Sequence, residues 1–128
     1  MKTIFLNNNS NMYEFIDLDY IPQKGDIVWG EFNQQIGHEQ SGCRPALVVS
    51  KKNYNKKTGF CLAMPITKKI KGYLFEINVK TIKIEGAILT NQIRSFDFKS
   101  RKIKFYDKVD GKTLKIVMDK LNSLLKLK

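Results

Sequence analysis

The sequence predicts a mainly β fold, a small barrel of short strands with one α-helix at its C-terminus. Short β-branched and aromatic runs recur between turn signals, and they do not alternate with helix-length segments as βαβ units would. Only from Thr113 onward does the apolar spacing lengthen from two residues to roughly 3.6. With 128 residues, 42% of them hydrophobic, the chain has material for one core and one domain. Residues 1–20 read as a partly ordered leader, or a small turn of helix packed on the body, and residues 21–128 as the folded domain.

The body opens at Pro22-Gln23-Lys24-Gly25, a turn signal followed by Ile27, Val28, Trp29 and Phe32, which read as a strand. A polar loop, residues 33–42, carries Gly37 and Gly42. Then comes Pro45-Ala46-Leu47-Val48-Val49-Ser50, a continuous apolar run expected of a strand buried on both faces. Asn53 to Gly59 reads as a turn-rich connection, and Phe60-Cys61-Leu62-Ala63-Met64 as a third strand stopped by Pro65. Tyr73, Phe75, Ile77 and Val79 alternate with Leu74, Glu76 and Asn78, giving a strand with one core face. Gly86-Ala87-Ile88-Leu89 and Ile103-Lys104-Phe105 supply two further short strands. Leu114, Val117, Met118, Leu121, Leu124 and Leu125 then mark one face of an amphipathic helix, capped by Asp110 and packed on the barrel or on a second subunit.

Lys and Arg total 23 against 12 Asp and Glu, a formal net charge of +11. Residues 1–20 carry −2, so the basic field belongs to the body and calls for an anionic partner. Only three of the cations are Arg, a balance suited to diffuse phosphate attraction rather than to a row of bidentate base contacts. A lysine-rich coding bias that leaves solvated lysines everywhere is the bland alternative. No apolar run approaches the ~20 residues of a membrane span, and Met1–Leu6 is too short for a signal peptide, so a cytoplasmic protein is expected. Cys43, Cys61 and the single His38 make a poor metal set, and both cysteines read as free, partly buried thiols. No metal and no cofactor is expected.

Two passages concentrate chemistry. In the first, Pro45 restricts Arg44 to extended backbone where a buried strand begins, so the guanidinium is launched from a fixed point. It either grips an anion or pairs with Glu39 to organise the loop. In the second, Thr67 is followed by Lys68, Lys69 and Lys71, a hydroxyl beside positive charge, which suits a phosphate or simply caps a solvated turn.

Taken together, Gly25-Asp26-Ile27-Val28-Trp29, Gly37-x-Glu39-Gln40-x-Gly42-x-Arg44-Pro45-Ala46-x-Val48-Val49-x-Ser50, Pro65-x-Thr67, Lys71-Gly72-Tyr73-x-Phe75-Glu76 and Asn91-Gln92-Ile93-Arg94-Ser95 resemble the MazF/PemK family of toxin endoribonucleases. The five blocks occur in order at compatible spacing from about Tyr20 through the terminal helix. The resemblance implies an SH3-like barrel with a packed helix, acting as a homodimer that cuts single-stranded RNA without a metal and is silenced by an acidic antitoxin. It carries catalytic roles onto Arg44 and Thr67, and onto Glu39 as base or as the group that orients Arg44. His38 is a possible acid or base by its intrinsic pKa, although the family fixes no His there. Cys43 stands where some relatives carry His. Phe32, Asn33, Gln35, Lys68, Lys69, Lys71, Tyr73, Gln92 and Arg94 are the candidate RNA contacts; Phe32 and Tyr73 can also be read as core, Phe32 equally so. Two rival readings remain on the same barrel: a toxin that inhibits DNA gyrase and cuts nothing, in the manner of the CcdB poisons, and a basic RNA-binding module without catalysis.

Overall fold

The computed structural model describes residues 2–6, 13–17, 19–32 and 43–126, the first two stretches as backbone only. His38, Glu39, Asn33 and Gln35 lie outside the described residues. β1 (Lys2–Leu6) and β2 (Tyr13–Asp17) pair antiparallel in a two-stranded sheet of their own. Residues 13–17 are therefore strand, and the expected turn of helix does not form there.

The rest builds one curled antiparallel sheet from β3 (Asp26–Glu31), β4 (Cys43–Val48), β5 (Phe60–Thr67), β6 (Glu76–Lys80), β7 (Glu85–Leu89), β8 (Arg94–Asp97) and β9 (Lys104–Lys108), in the order β6-β7-β5-β4-β3-β9 with β8 also on β5. β4 is buried on both sides, as its unbroken apolar run requires. Leu47 belongs to a core with Ile27, Met64, Ile66, Ile88 and Val117; Ala46 and Val48 belong to a second with Val28, Cys61, Ala63, Phe96 and Ile103. The helix α2 (Gly111–Leu125) covers the first core through Val117, Leu114, Met118 and Leu121. Its last leucines are not buried: Leu124 is 50% and Leu125 65% exposed, so on this chain the packed stripe ends at Leu121.

Three further sequence expectations need correction. Pro65 does not stop β5, which runs on to Thr67. One edge of β5 pairs β8 through Phe60 to Ala63 and then β7 through Ile66 and Thr67, so Pro65, lacking an N–H, falls in the gap between the two partners. Residues 52–58 form a helix, α1 (Lys52–Thr58), ended by Gly59 in the left-handed region at φ 77°. Its anchor is Asn55, wholly buried, which donates to Pro22 O at 2.7 Å and accepts from the Ser50 hydroxyl. The alternating run from Tyr73 becomes strand only at Glu76, because Glu76 Oε1 accepts the backbone N–H groups of Lys71 and Gly72 and ties residues 71–76 into a turn.

Candidate active site

Arg44 sits near the start of β4 and Thr67 at the end of β5. The β4–β5 register pairs Ala46 with Pro65, Leu47 with Met64 and Val48 with Ala63. Carried two residues outward, that register sets Arg44 across from Thr67. Alternation gives both residues the face of Ala46, Val48 and Ala63, so the two side chains leave the sheet on the same side. They line one open groove of about 660 Å³ together with Lys68 and Lys69.

Local structure fixes what each group offers. Arg44 is exposed and held extended by Pro45. Thr67 Oγ1 accepts the Lys69 backbone N–H at 3.1 Å, which occupies a lone pair and leaves the hydroxyl proton to be donated outward. Beneath Thr67, β7 passes so close that a Cβ built on Gly86 would lie 2.3 Å from Thr67 O. Lys68, Lys69 and Lys83 surround the groove with positive charge, and Glu85 is the carboxylate that the described residues contribute to it. A guanidinium and a hydroxyl on one wall, ringed by ammonium groups, are the donors needed to hold a phosphodiester and the negative charge that builds on it during cleavage.

The other predicted contacts separate. Phe32 reaches the groove only as its floor: it is 3% exposed and packs edge-on against Phe96 at 4.5 Å, the core side of the two readings its sequence left open. Lys71 and Tyr73 lie on the exposed connection after β5, outside the groove lining, with Tyr73 53% exposed and stacked on Phe75 rather than buried. Gln92 is exposed at the end of a 3-10 turn, and Arg94 on β8 lies over the Phe96 ring at 5.3 Å; neither lines the groove. The cysteines divide instead of sharing partial burial, Cys43 exposed in the groove lining and Cys61 fully buried with its thiol pushed up to about 12 by desolvation. No group of three metal-capable side chains occurs among the described residues. Trp29, Tyr106, Lys83 and Glu85 line the groove without having been singled out from the sequence. Trp29 had a signal, as the sole tryptophan on a strand that enters the polar loop; the others had none.

Known proteins place this groove in context. Residues 23–125 match the family of PemK-like, MazF-like toxins of type II toxin-antitoxin systems. The endoribonuclease toxin MazF of Escherichia coli strain K12 is 37% identical over 106 residues, which cover 83% of this chain and 96% of that protein. The crystal structure of MazF (Form-I) from Deinococcus radiodurans superposes with a TM-score of 0.76 at 41% identity, covering 85% of this chain and 100% of that one. A MazE-MazF crystal structure (Form-II) from the same organism gives 0.78 at 40% identity, with 86% and 100% covered. Because the matched segment contains the whole curled sheet and both walls of the groove, the chain belongs to the PemK-like, MazF-like toxins of type II toxin-antitoxin systems.

Proposed function

We propose that this protein is a sequence-selective, metal-independent endoribonuclease toxin that cleaves single-stranded RNA to 2′,3′-cyclic phosphate and 5′-hydroxyl ends. The observation that carries the reading is the meeting of Arg44 and Thr67 in one basic groove. Residues 21–128 form the toxin domain and residues 1–20 a leader. The toxin works in the cytoplasm as a homodimer and is neutralised by an acidic MazE-like antitoxin, for which the net charge of +11 and the MazE-MazF complex of the Deinococcus relative are the support.

The ribose 2′-oxygen attacks the adjacent phosphorus as its proton passes to a base, the bond from phosphorus to the 5′-oxygen breaks, and that oxygen takes up a proton. DNA lacks the nucleophile. The Arg44 guanidinium bridges two phosphate oxygens, and the Thr67 hydroxyl donates to one of them as the phosphorane charge grows. Arg44 stays cationic and is not the base. Glu39, carried by the family resemblance, and Glu85, in the groove lining, are the carboxylates offered for that step, with His38 as a further acid or base. Lys68 and Lys69 hold the flanking backbone.

The test is a long single-stranded RNA incubated with the protein in excess EDTA beside Arg44→Ala and Thr67→Ala, with end-group analysis. Discrete cuts bearing cyclic phosphates, slowed on the order of 100- to 1000-fold in either variant, are expected. Intact RNA from folded, antitoxin-free protein would refute the activity and leave the gyrase-inhibitor or RNA-binding readings.

A further inference from the structure

We propose that Trp29, backed by Tyr106, is a stacking platform for one nucleobase of the RNA whose phosphate lies at Arg44 and Thr67, an inference that rests on the groove being the RNA site. Trp29 and Tyr106 line that groove, both partly exposed, with ring centroids 5.3 Å apart and planes tilted by 32°. Trp29 belongs to neither apolar core; its ring packs on Tyr106, which is packed against the first core, and stays partly exposed to the groove.

Tyr106 owes its position to a break in the β3–β9 ladder. Ile27 pairs with Asp107 and Val28 with Phe105, so Tyr106 is the extra residue of a β-bulge. Such a bulge re-aims a side chain by bending the strand and increasing its twist locally. Here it sets the phenol ring beside Trp29, two positions after Lys104, which pairs with Trp29 directly. Lys83 then fixes the bulge: its ammonium donates to Tyr106 O at 3.0 Å and stands 5.1 Å from the ring centroid. Asp107, held below the usual carboxylate range first by the Thr81 hydroxyl, keeps a negative charge beside that ammonium. Lys83 thus braces the ring pair while its charge adds to the positive field of the groove.

A rigid pair of aromatic rings next to a phosphate-binding wall is how proteins hold unpaired bases, since every base offers a π face. The platform recognises that a base is present and unstacked, while discrimination among bases falls to other contacts. A protein surface seated on the same rings would compete with RNA for them.

Trp29 is the only tryptophan in the chain, so its emission reads the platform alone. An uncleavable 2′-O-methyl RNA oligomer is titrated into the full-length protein beside an abasic oligomer of equal length, with anisotropy reporting total binding. The expected result is saturable quenching of Trp29 by the base-bearing strand, and binding without quenching by the abasic one. Tyr106→Ala should weaken the base-bearing strand about tenfold or more while leaving the abasic strand unchanged, and Tyr106→Phe should restore it. Equal quenching by both strands, equal loss of both in Tyr106→Ala, or emission that responds only to protein concentration or to an acidic peptide would overturn the platform. RNA cleavage in EDTA with unaltered Trp29 emission would remove the platform and keep the ribonuclease; absence of both cleavage and binding would remove the two together.

Discussion

Gly86 sets the position of Thr67 by having no side chain. A methyl group there would meet Thr67 O at 2.3 Å and Thr67 C at 3.1 Å, both backbone atoms that cannot swing aside. Gly86→Ala therefore pushes β5 from β7 at Thr67, the proposed hydroxyl donor. The expected outcome is a stability loss of about 1–3 kcal/mol by denaturant titration, together with slower RNA cleavage at temperatures where the variant remains folded. The rate effect acts through Thr67, so Gly86→Ala should add little further loss in a Thr67→Ala background, whereas independent effects would multiply. At this scale the sequence singled out Arg44 before a proline and Thr67 before lysines, and the structure brings the two into one groove. The sequence was silent on Glu85, whose place in the groove depends on how β7 meets β5. Tyr106 was equally hidden, because a bulge shifts a strand by one residue and leaves no trace in an alternating pattern.

Among the elements, α2 was the most legible, since a period near 3.6 sustained over three turns has no strand equivalent. Asp110 caps it as its place before the helix implies, accepting Thr113 N at 3.2 Å. A hydrogen bond from the Thr113 side chain first, and this backbone bond after it, hold the Asp110 carboxyl below the ordinary aspartate range. A lowered folded-state pKa contributes stability that is complete above the unfolded value, about 3.9, and is lost as pH falls through the folded value. Asp110→Ala should lower Tm at pH 7, and its deficit against the parent should shrink on acidification below about pH 4. A deficit constant from pH 7 to pH 2 would show that the cap acts without its charge. One element the sequence hid was α1, seven residues rich in Asn and Lys whose helix is held by what Asn55 and Gly59 do in three dimensions rather than by propensity. β5 was cut short for a related reason: Pro65 terminates a strand only where a neighbour needs its N–H, and the β8-to-β7 handover removes that need.

For the molecule as a whole, the governing quantity is a net charge of +11 on 128 residues. Uncompensated lysines repel one another in the compact state, and the same lysines attract RNA. Salt should therefore act with opposite signs on the two properties: raising it from about 50 to 300 mM should raise Tm while weakening RNA binding steeply, with a log–log slope that counts the phosphates engaged. Both curves can be taken from one set of samples, and a Tm that falls with salt would mean that ion pairing outweighs repulsion in the fold. The mainly β class and the two-sided burial of β4 were readable from the chain because burial on both faces leaves an unbroken apolar run. The curl that joins the two cores was not, since it depends on β5 changing partners midway.

That two-sided sheet also makes the protein chemically addressable at a single point. Cys61 is enclosed opposite Phe96 with its thiol pushed up to about 12, so at neutral pH it stays protonated and inert, while Cys43 stands exposed in the groove beside Arg44. A maleimide dye or nitroxide added to the native, unmutated protein accordingly attaches at the groove alone, and an occupant arriving there is reported by a probe that no cysteine had to be introduced or removed to place.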